Sequence, residues 1–348
     1  MDARLRGNDT MCPNAVDVAI SQRRPLGRPA FSTLLLVALA AMSARAVRAQ
    51  AEAPQLQLPP PQIPPNHAAP SLVDWTPEQI RVHPELRNLQ PAESQQELPE
   101  ILRQVGERVM AFFKDFPNAT ATEDVHSGPC SVVRVNCGVA FKAKFQYLLV
   151  GRNVEGERVM TEYRADKKGR PIDYLNFQAE RPQVYAPFLT YGFAAAPLLH
   201  FHPQDRMGSR FRDFGRQTVA GKATDVVGFA EIPEKYCCPT KFGVENREVE
   251  VFVQGLAWID GATHQILRIK TYLLAPRPDV GLEEQTTRIE YSAIRLPGTS
   301  TPFWLPTKVV VDIWLRQGPR RGHYRNLHHY SHFKLFRVES RIGPVVEK

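Results

Sequence analysis

At 348 residues the chain has room for two domains, but its N-terminal portion reduces the estimate to one. Half of the formal net charge of +8 lies in residues 1–49, which hold seven Arg against three acidic residues, leaving +4 on the remainder. That mild surplus, without a Lys/Arg stripe interleaved with aromatics, excludes a nucleic-acid footprint, and the basic cluster from Arg316 to Arg325 reads as a solvated loop around a Gly-Pro turn.

Arg23, Arg24 and Arg28 precede the apolar run FSTLLLVALAAM (Phe31 to Met42), and small-residue cleavage patterns follow at 44–46, 47–49 and 49–51. This is the pattern of a Sec-type signal peptide over residues 1–49, so periplasmic or secreted localisation is expected. The run is too short for a bilayer span, which takes about 20 residues, so contact with a membrane is peripheral at most. Arg23-Arg24 sits in a poor twin-arginine context, and no cysteine directly follows the run. Beyond residue 49 four cysteines remain: Cys130, Cys137, Cys237 and Cys238. An even count in an oxidising compartment suits disulfides. Cys130 and Cys137 are spaced to close a hairpin-sized loop, while cross-pairing with adjacent Cys237 and Cys238 stays open. Neither C-x-x-C nor a Cys/His metal spacing is present.

Residues 50–93 read as a disordered linker, Pro-rich to residue 70 and polar and irregular beyond it. A domain over residues 94–348 follows. Leu98, Ile101, Leu102, Val105, Val109, Phe112, Phe113 and Phe116 recur at helical spacing between Pro99 and Pro117, which predicts one amphipathic helix packed on a sheet. Strands are predicted at 141–151 and 156–165, then over VVGFAEI and REVEVFVQGLAWID. Asp260-Gly261 marks a hairpin. In TKVVVDIWLR, Val309, Val311, Ile313 and Leu315 share one face and Lys308, Val310, Asp312, Trp314 and Arg316 the other. No helical pattern separates the last five strands, so they must be largely antiparallel. The apolar segment from Tyr185 to His202 interrupts the pattern and reads as a connection crossing the core, with a mobile lid as the alternative.

The segments GLAWIDGATHQILRI, RIEYSAIRL, FWLPTKVVVDIW and HHYSHFKLF give the chain a resemblance to the lipoprotein-localisation superfamily of LolA, LolB and the N-terminal domain of RseB. FPNATATEDV, QYLLVGRNVEGERVMTEYRADKKG and YSHFKLF are similar to exported proteins of an acidobacterial type. The resemblance runs from about Leu98 to Glu339 and brings no catalytic motif. It implies an α+β, mainly antiparallel β fold, in which a single curved sheet (a half-barrel) packs on one or more helices. In relatives the concave apolar face receives acyl chains or a partner segment.

Chemistry-bearing patterns are few. His328 and His332 share a strand face, as do His200 and His202 if extended, which is a conceivable Zn, Cu or Ni set; yet no Asp or Glu stands near at ligand spacing, and surface histidines paired to tyrosines are the preferred reading. No G-x-S-x-G elbow and no phosphate-cradling Gly loop is present. Glu162, Asp213, Glu283 and Glu284 have no visible catalytic pairing, so neither an enzyme nor a cofactor is expected. Phe145, Tyr147, Leu149, Trp258, Ile269, Tyr291, Trp304 and Trp314 offer more apolar surface than one helix can cover, which predicts a groove. The expected function is non-enzymatic binding of a lipid or lipoprotein acyl chain. The alternatives are an envelope scaffold or sensor that binds a partner protein, and a His-dependent metalloenzyme.

Overall fold

A computed structural model describes residues 17–20, 71–131, 136–154, 157–172, 189–190, 192–236, 239–244 and 247–336. Its helices are α1 (Pro77–Val82), α2 (Leu98–Asp115) and α3 (Ala196–Leu199). The strands are β1 (Asp17–Ile20), β2 (Gln90–Pro91), β3 (Ala119–Cys130), β4 (Phe141–Val154), β5 (Glu157–Ala165), β6 (Leu189–Thr190), β7 (Ser209–Val219) and β8 (Lys222–Glu231). They continue with β9 (Thr240–Val244), β10 (Arg247–Val251), β11 (Val253–Asp260), β12 (Ile266–Leu273), β13 (Leu282–Ile294), β14 (Phe303–Gln317) and β15 (Arg320–Leu335).

Eleven strands form one curved, unclosed sheet in the order β2-β7-β8-β11-β12-β13-β14-β15-β3-β4-β5. Every pairing in it is antiparallel, as the absence of crossover helices requires. Four short strands make a second sheet, β10-β9-β1-β6. The stretch REVEVFVQGLAWID is therefore two strands: β10 belongs to the small sheet and β11 to the large one. The hairpin at Asp260 is present, its carboxylate accepting the Ala262 and Thr263 amides.

The two faces of the sheet are covered by different parts of the chain. α2 lays Ile101, Val105, Val109, Phe112 and Phe113 on the concave face, the stripe its spacing predicts, with Pro99 in its first turn. There it meets Val309, Val311, Ile313 and Leu315 of β14. Residues 192–201 cross beside it, burying Phe193, Ala194, Leu198 and Phe201 in the same core. Gly106 makes this possible, since a Cβ there would sit 3.1 Å from Pro203 and 3.3 Å from the Phe201 carbonyl. The part of the apolar segment from 192 to 201 thus crosses the core, while residues 185–188 and 191 lie outside the described residues.

Residues 50–93 read in the sequence as a disordered linker, Pro-rich to residue 70. Residues 71–91 instead lie on the convex face as a folded arm. Leu72, Ile80 and Leu86 bury around Trp258, Leu256, Val226 and Phe214. Its apolar residues are too sparse for a periodic signal, so the docking is a tertiary effect. α1 carries a capping box between Thr76 and Gln79. β2 pairs with β7 beside Gly215, whose φ of 116° and close approach to the Gln90 carbonyl admit only glycine. Residues 31–42 and 50–70 lie outside the described residues.

Candidate functional site

On the concave face, alternation sends Tyr147 and Leu149 of β4, Ile269 of β12 and Tyr291 of β13 inward. All four are buried. Phe145 is buried too, in a small cluster with Val125 and Phe141. Trp304 is half-buried. Trp258 is fully buried, but on the convex side beneath the arm. Trp314 is half-buried and stacks on His323 at 4.2 Å. The proposed groove residues thus divide between the faces, and among the described residues they form no bare aromatic floor. α2 and residues 192–201 supply the cover that one helix could not.

What stays open is a narrow cleft where α2 meets the Asp260 hairpin. Val105, Arg108, Val109, Phe112, Leu198, His264, Ile266, Tyr291 and Trp304 line about 310 Å³ of space, open solvent included. Arg108 Nε donates to the Thr263 carbonyl at 3.0 Å and ties helix to hairpin across the mouth. His264 and Gln265 add polar side chains to the wall, and most of the rest is apolar.

Deeper in, the floor is polar. Glu123 accepts from Tyr330 at 2.8 Å, pairs with His328 Nδ1 at 2.7 Å and forms a bidentate ion pair with Arg164. Burial alone would raise the Glu123 pKa, but the Arg164 charge and the His328 contact override it and hold the carboxyl down at about 2. The network is a charge-paired brace between β3, β5 and β15, with Phe193 packed on the His328 ring at 5.1 Å.

Glu162, the next inward residue of β5, does something different. Its Oε2 accepts the amides of Gly192 and Phe193, each at 3.1 Å, and its Oε1 accepts those of Ala194 and Ala195 at 2.8 and 3.3 Å. Tyr291 donates its hydroxyl to the Phe193 carbonyl at 2.9 Å. Burial pushes the Glu162 pKa up, against the pull of the Tyr147 hydroxyl and of the Ala194 and Ala195 amides. One carboxylate and one phenol thus grip the backbone of the crossing segment at its start. At its far end His200 lies between Phe229 and Tyr236, 3.6 Å from the buried Glu231 carboxyl. Burial holds His200 down at about 3, a neutral imidazole.

The structure does not gather the four candidate metal histidines. His200 faces Glu231, His202 faces Asp205, His328 faces Glu123, and exposed His332 bonds Ser331. Among the described residues one group has metal-like spacing, Cys130 with Asp312 and His323, and none of the four belongs to it. Cys130 forms a disulfide with Cys137, which takes its sulfur out of ligation. Cys237 and Cys238 lie outside the described residues. Sequence reading missed the gripping role of Glu162 and the Glu123–Arg164 brace. A signal existed: Glu123 shares its strand parity with Ala119, Ala121 and Val125, and Glu162 and Arg164 share theirs with Met160. Charges on the apolar parity of a strand must find partners inside.

The fold and site define a protein built on one large curved, unclosed antiparallel sheet, with a helix and a crossing segment of its own chain packed on one face. No family model matches the sequence, and no curated protein matches it. Similar solved structures include a domain from Vibrio parahaemolyticus described as outer membrane lipoprotein-sorting, at 12% identity and TM-score 0.35, covering 67% of this chain and 91% of that one. A LolA superfamily protein from Nitrosomonas europaea matches at 10% identity and TM-score 0.32, over 68% and 94% of the two chains. A DUF1329 family protein from Desulfovibrio piger matches at 10% and 0.34, over 67% and 92%. At such scores the likeness carries no argument, and the functional reading rests on the cleft and its surroundings.

Proposed function

We propose that the protein is an exported, non-enzymatic binding protein that takes a hydrophobic ligand, a lipid or acyl chain, into its concave core through the cleft between α2 and the Asp260 hairpin. Residues 1–49 act as the signal peptide that carries it to the periplasm or beyond, and their removal would take β1 (Asp17–Ile20) out of the small sheet. One observation carries the reading: this opening is walled by Val105, Val109, Phe112, Ile266 and Trp304 and lies over side chains of the main core. Apolar concavities with few polar groups are the usual seats of apolar ligands.

Native mass spectrometry of protein extracted mildly from its source tests this directly. Retained lipid, or quenching of Trp304 by a brominated fatty acid, is the expected result. Val109→Trp, which fills the cleft, is expected to abolish both. A protein that carries nothing and ignores the probe would sink the reading.

A further inference from the structure

Where β3 ends, three strands bring metal-ligating side chains to one point. Cys130 of β3 stands opposite His323 of β15, which stands opposite Trp314 of β14. Asp312, two residues before Trp314, shares its face of the sheet. The ligating atoms of Cys130, Asp312 and His323 all lie within 4.8 Å of one another. His323 Nε2 lies 2.8 Å from Asp312 Oδ1, and Trp314 stacks on the imidazole at 4.2 Å, which fixes the plane of the ring. The disulfide to Cys130 brings the Cys137 sulfur to the same place. Backbone bonds hold the pair together without it: the Ser131 amide donates to the Asn136 carbonyl and the Gly138 amide to the Pro129 carbonyl, each at 2.9 Å.

We infer that Cys130, Cys137, Asp312 and His323 form a zinc site, open to the metal when the two cysteines are thiols and shut when they are joined. Two thiolates, an imidazole and a carboxylate are donor types that four-coordinate zinc takes. Ligand atoms around such a zinc stand about 3.3–3.8 Å apart at bond lengths of about 2.0–2.3 Å, so side-chain shifts of about 1 Å complete the set. Arg325 binds the same carboxylate, Nε to Oδ1 at 2.8 Å and Nη2 to Oδ2 at 3.1 Å. Zinc needs one of those oxygens, and with the metal the guanidinium balances the charge of two thiolates and one carboxylate. Only a thiolate ligates, so the disulfide form is left with Asp312 and His323 alone. The thiol form exists in the life of any exported chain, because each disulfide begins as two thiols. A dithiol reductant regenerates it from the disulfide. The reductant's sulfurs join to each other, its two electrons break the Sγ–Sγ bond, and its two protons pass to Cys130 and Cys137. Both thiols release those protons to solvent as zinc binds. The site owes nothing to the cleft, and either can fail without the other.

The test uses the full chain with zinc as the probe, titrated against a competing chelator. Cys12→Ser, Cys237→Ser and Cys238→Ser together confine the thiols to the pair. Reduced with a phosphine, that chain is expected to bind zinc at least about tenfold more tightly than in its disulfide form. Cobalt in place of zinc is expected to give tetrahedral d–d bands and a thiolate-to-cobalt charge-transfer band. Asp312→Asn and His323→Ala are each expected to weaken zinc binding by the reduced chain about tenfold or more. Equal affinity of the two forms, or a reduced chain indifferent to both substitutions, overturns the inference. Reoxidation of the unaltered chain gives a reading independent of the variants' folding. Zinc is expected to slow re-formation of the Cys130–Cys137 bond by oxidised glutathione at least about tenfold, since bound thiolates are withheld from exchange. A rate that ignores zinc counts against the site.

Discussion

The two faces of the large sheet are both covered, each through side chains and backbone together. On the convex face Trp258 fills the underside of the arm of residues 71–91, Asp74 pairs with Arg210 at 2.8 Å and Glu85 joins Lys270 and Arg288, while Arg212 donates to the Val73 and Trp75 carbonyls and Gln217 to those of Glu85 and Arg87. On the concave face residues 192–201 bury Phe193, Leu198 and Phe201, and one carboxylate takes four of their amides. The difference lies in the polar partners: the arm is a cover fixed by several ion pairs and carbonyl contacts spread along it, the crossing segment one fixed at its start by a single carboxylate.

The largest expected effect comes from loosening the arm. Trp258→Ala empties a fully buried site and is expected to cost about 3–5 kcal/mol in denaturant unfolding. Residues 71–91 should become the first site of proteolysis, while the amides of α2 keep their protection. Arg164→Leu attacks the concave brace and leaves Glu123 buried without its cation, for a loss of about 3 kcal/mol. It also changes the acid limb of stability. In the native protein Glu123 sits below its ordinary value of 4.5, so its contribution is whole above pH 4.5 and is lost as pH falls toward about 2. Thermal unfolding of Arg164→Leu should lack that acid-side decline.

Joint replacement of Cys130 and Cys137 by Ser opens a loop of sequence separation 7 and should cost about 2–3 kcal/mol, read as a lower denaturant midpoint. Both cysteines lie where β3 ends, so neither cover should respond. Their indifference in limited proteolysis would sharpen the comparison. The smallest effect is expected from Glu85→Gln. It loosens the ion pairs with Lys270 and Arg288 at the rim of the arm, for about 1 kcal/mol, checked by faster cleavage within residues 71–91.

How much of this was legible in the sequence follows from the range of the forces involved. The stripe of α2, the alternation of β14 and the Asp260 turn are local patterns, and each appears in the fold where it was read. The arm was not legible, because Leu72, Ile80 and Leu86 show no period and acquire meaning against Trp258, more than 150 residues away. The inward groove was legible as a surplus of apolar residues, but its division between two faces was not. Parity within one strand does not say which face of a distant strand it matches. The histidines of 200–202 and 328–332 looked alike in sequence and were separated by their partners, Glu231 and Glu123.

By itself the sequence determined an antiparallel, helix-backed sheet, because period-two alternation and short turns are local properties of the chain. The tertiary structure alone decided that the concave face is filled, that Glu162 grips a crossing segment by its amides, and that one narrow apolar cleft stays open. Those outcomes depend on residues far apart in sequence meeting inside one core, where an acceptor on the apolar side of a strand must be satisfied by whatever chain passes over it.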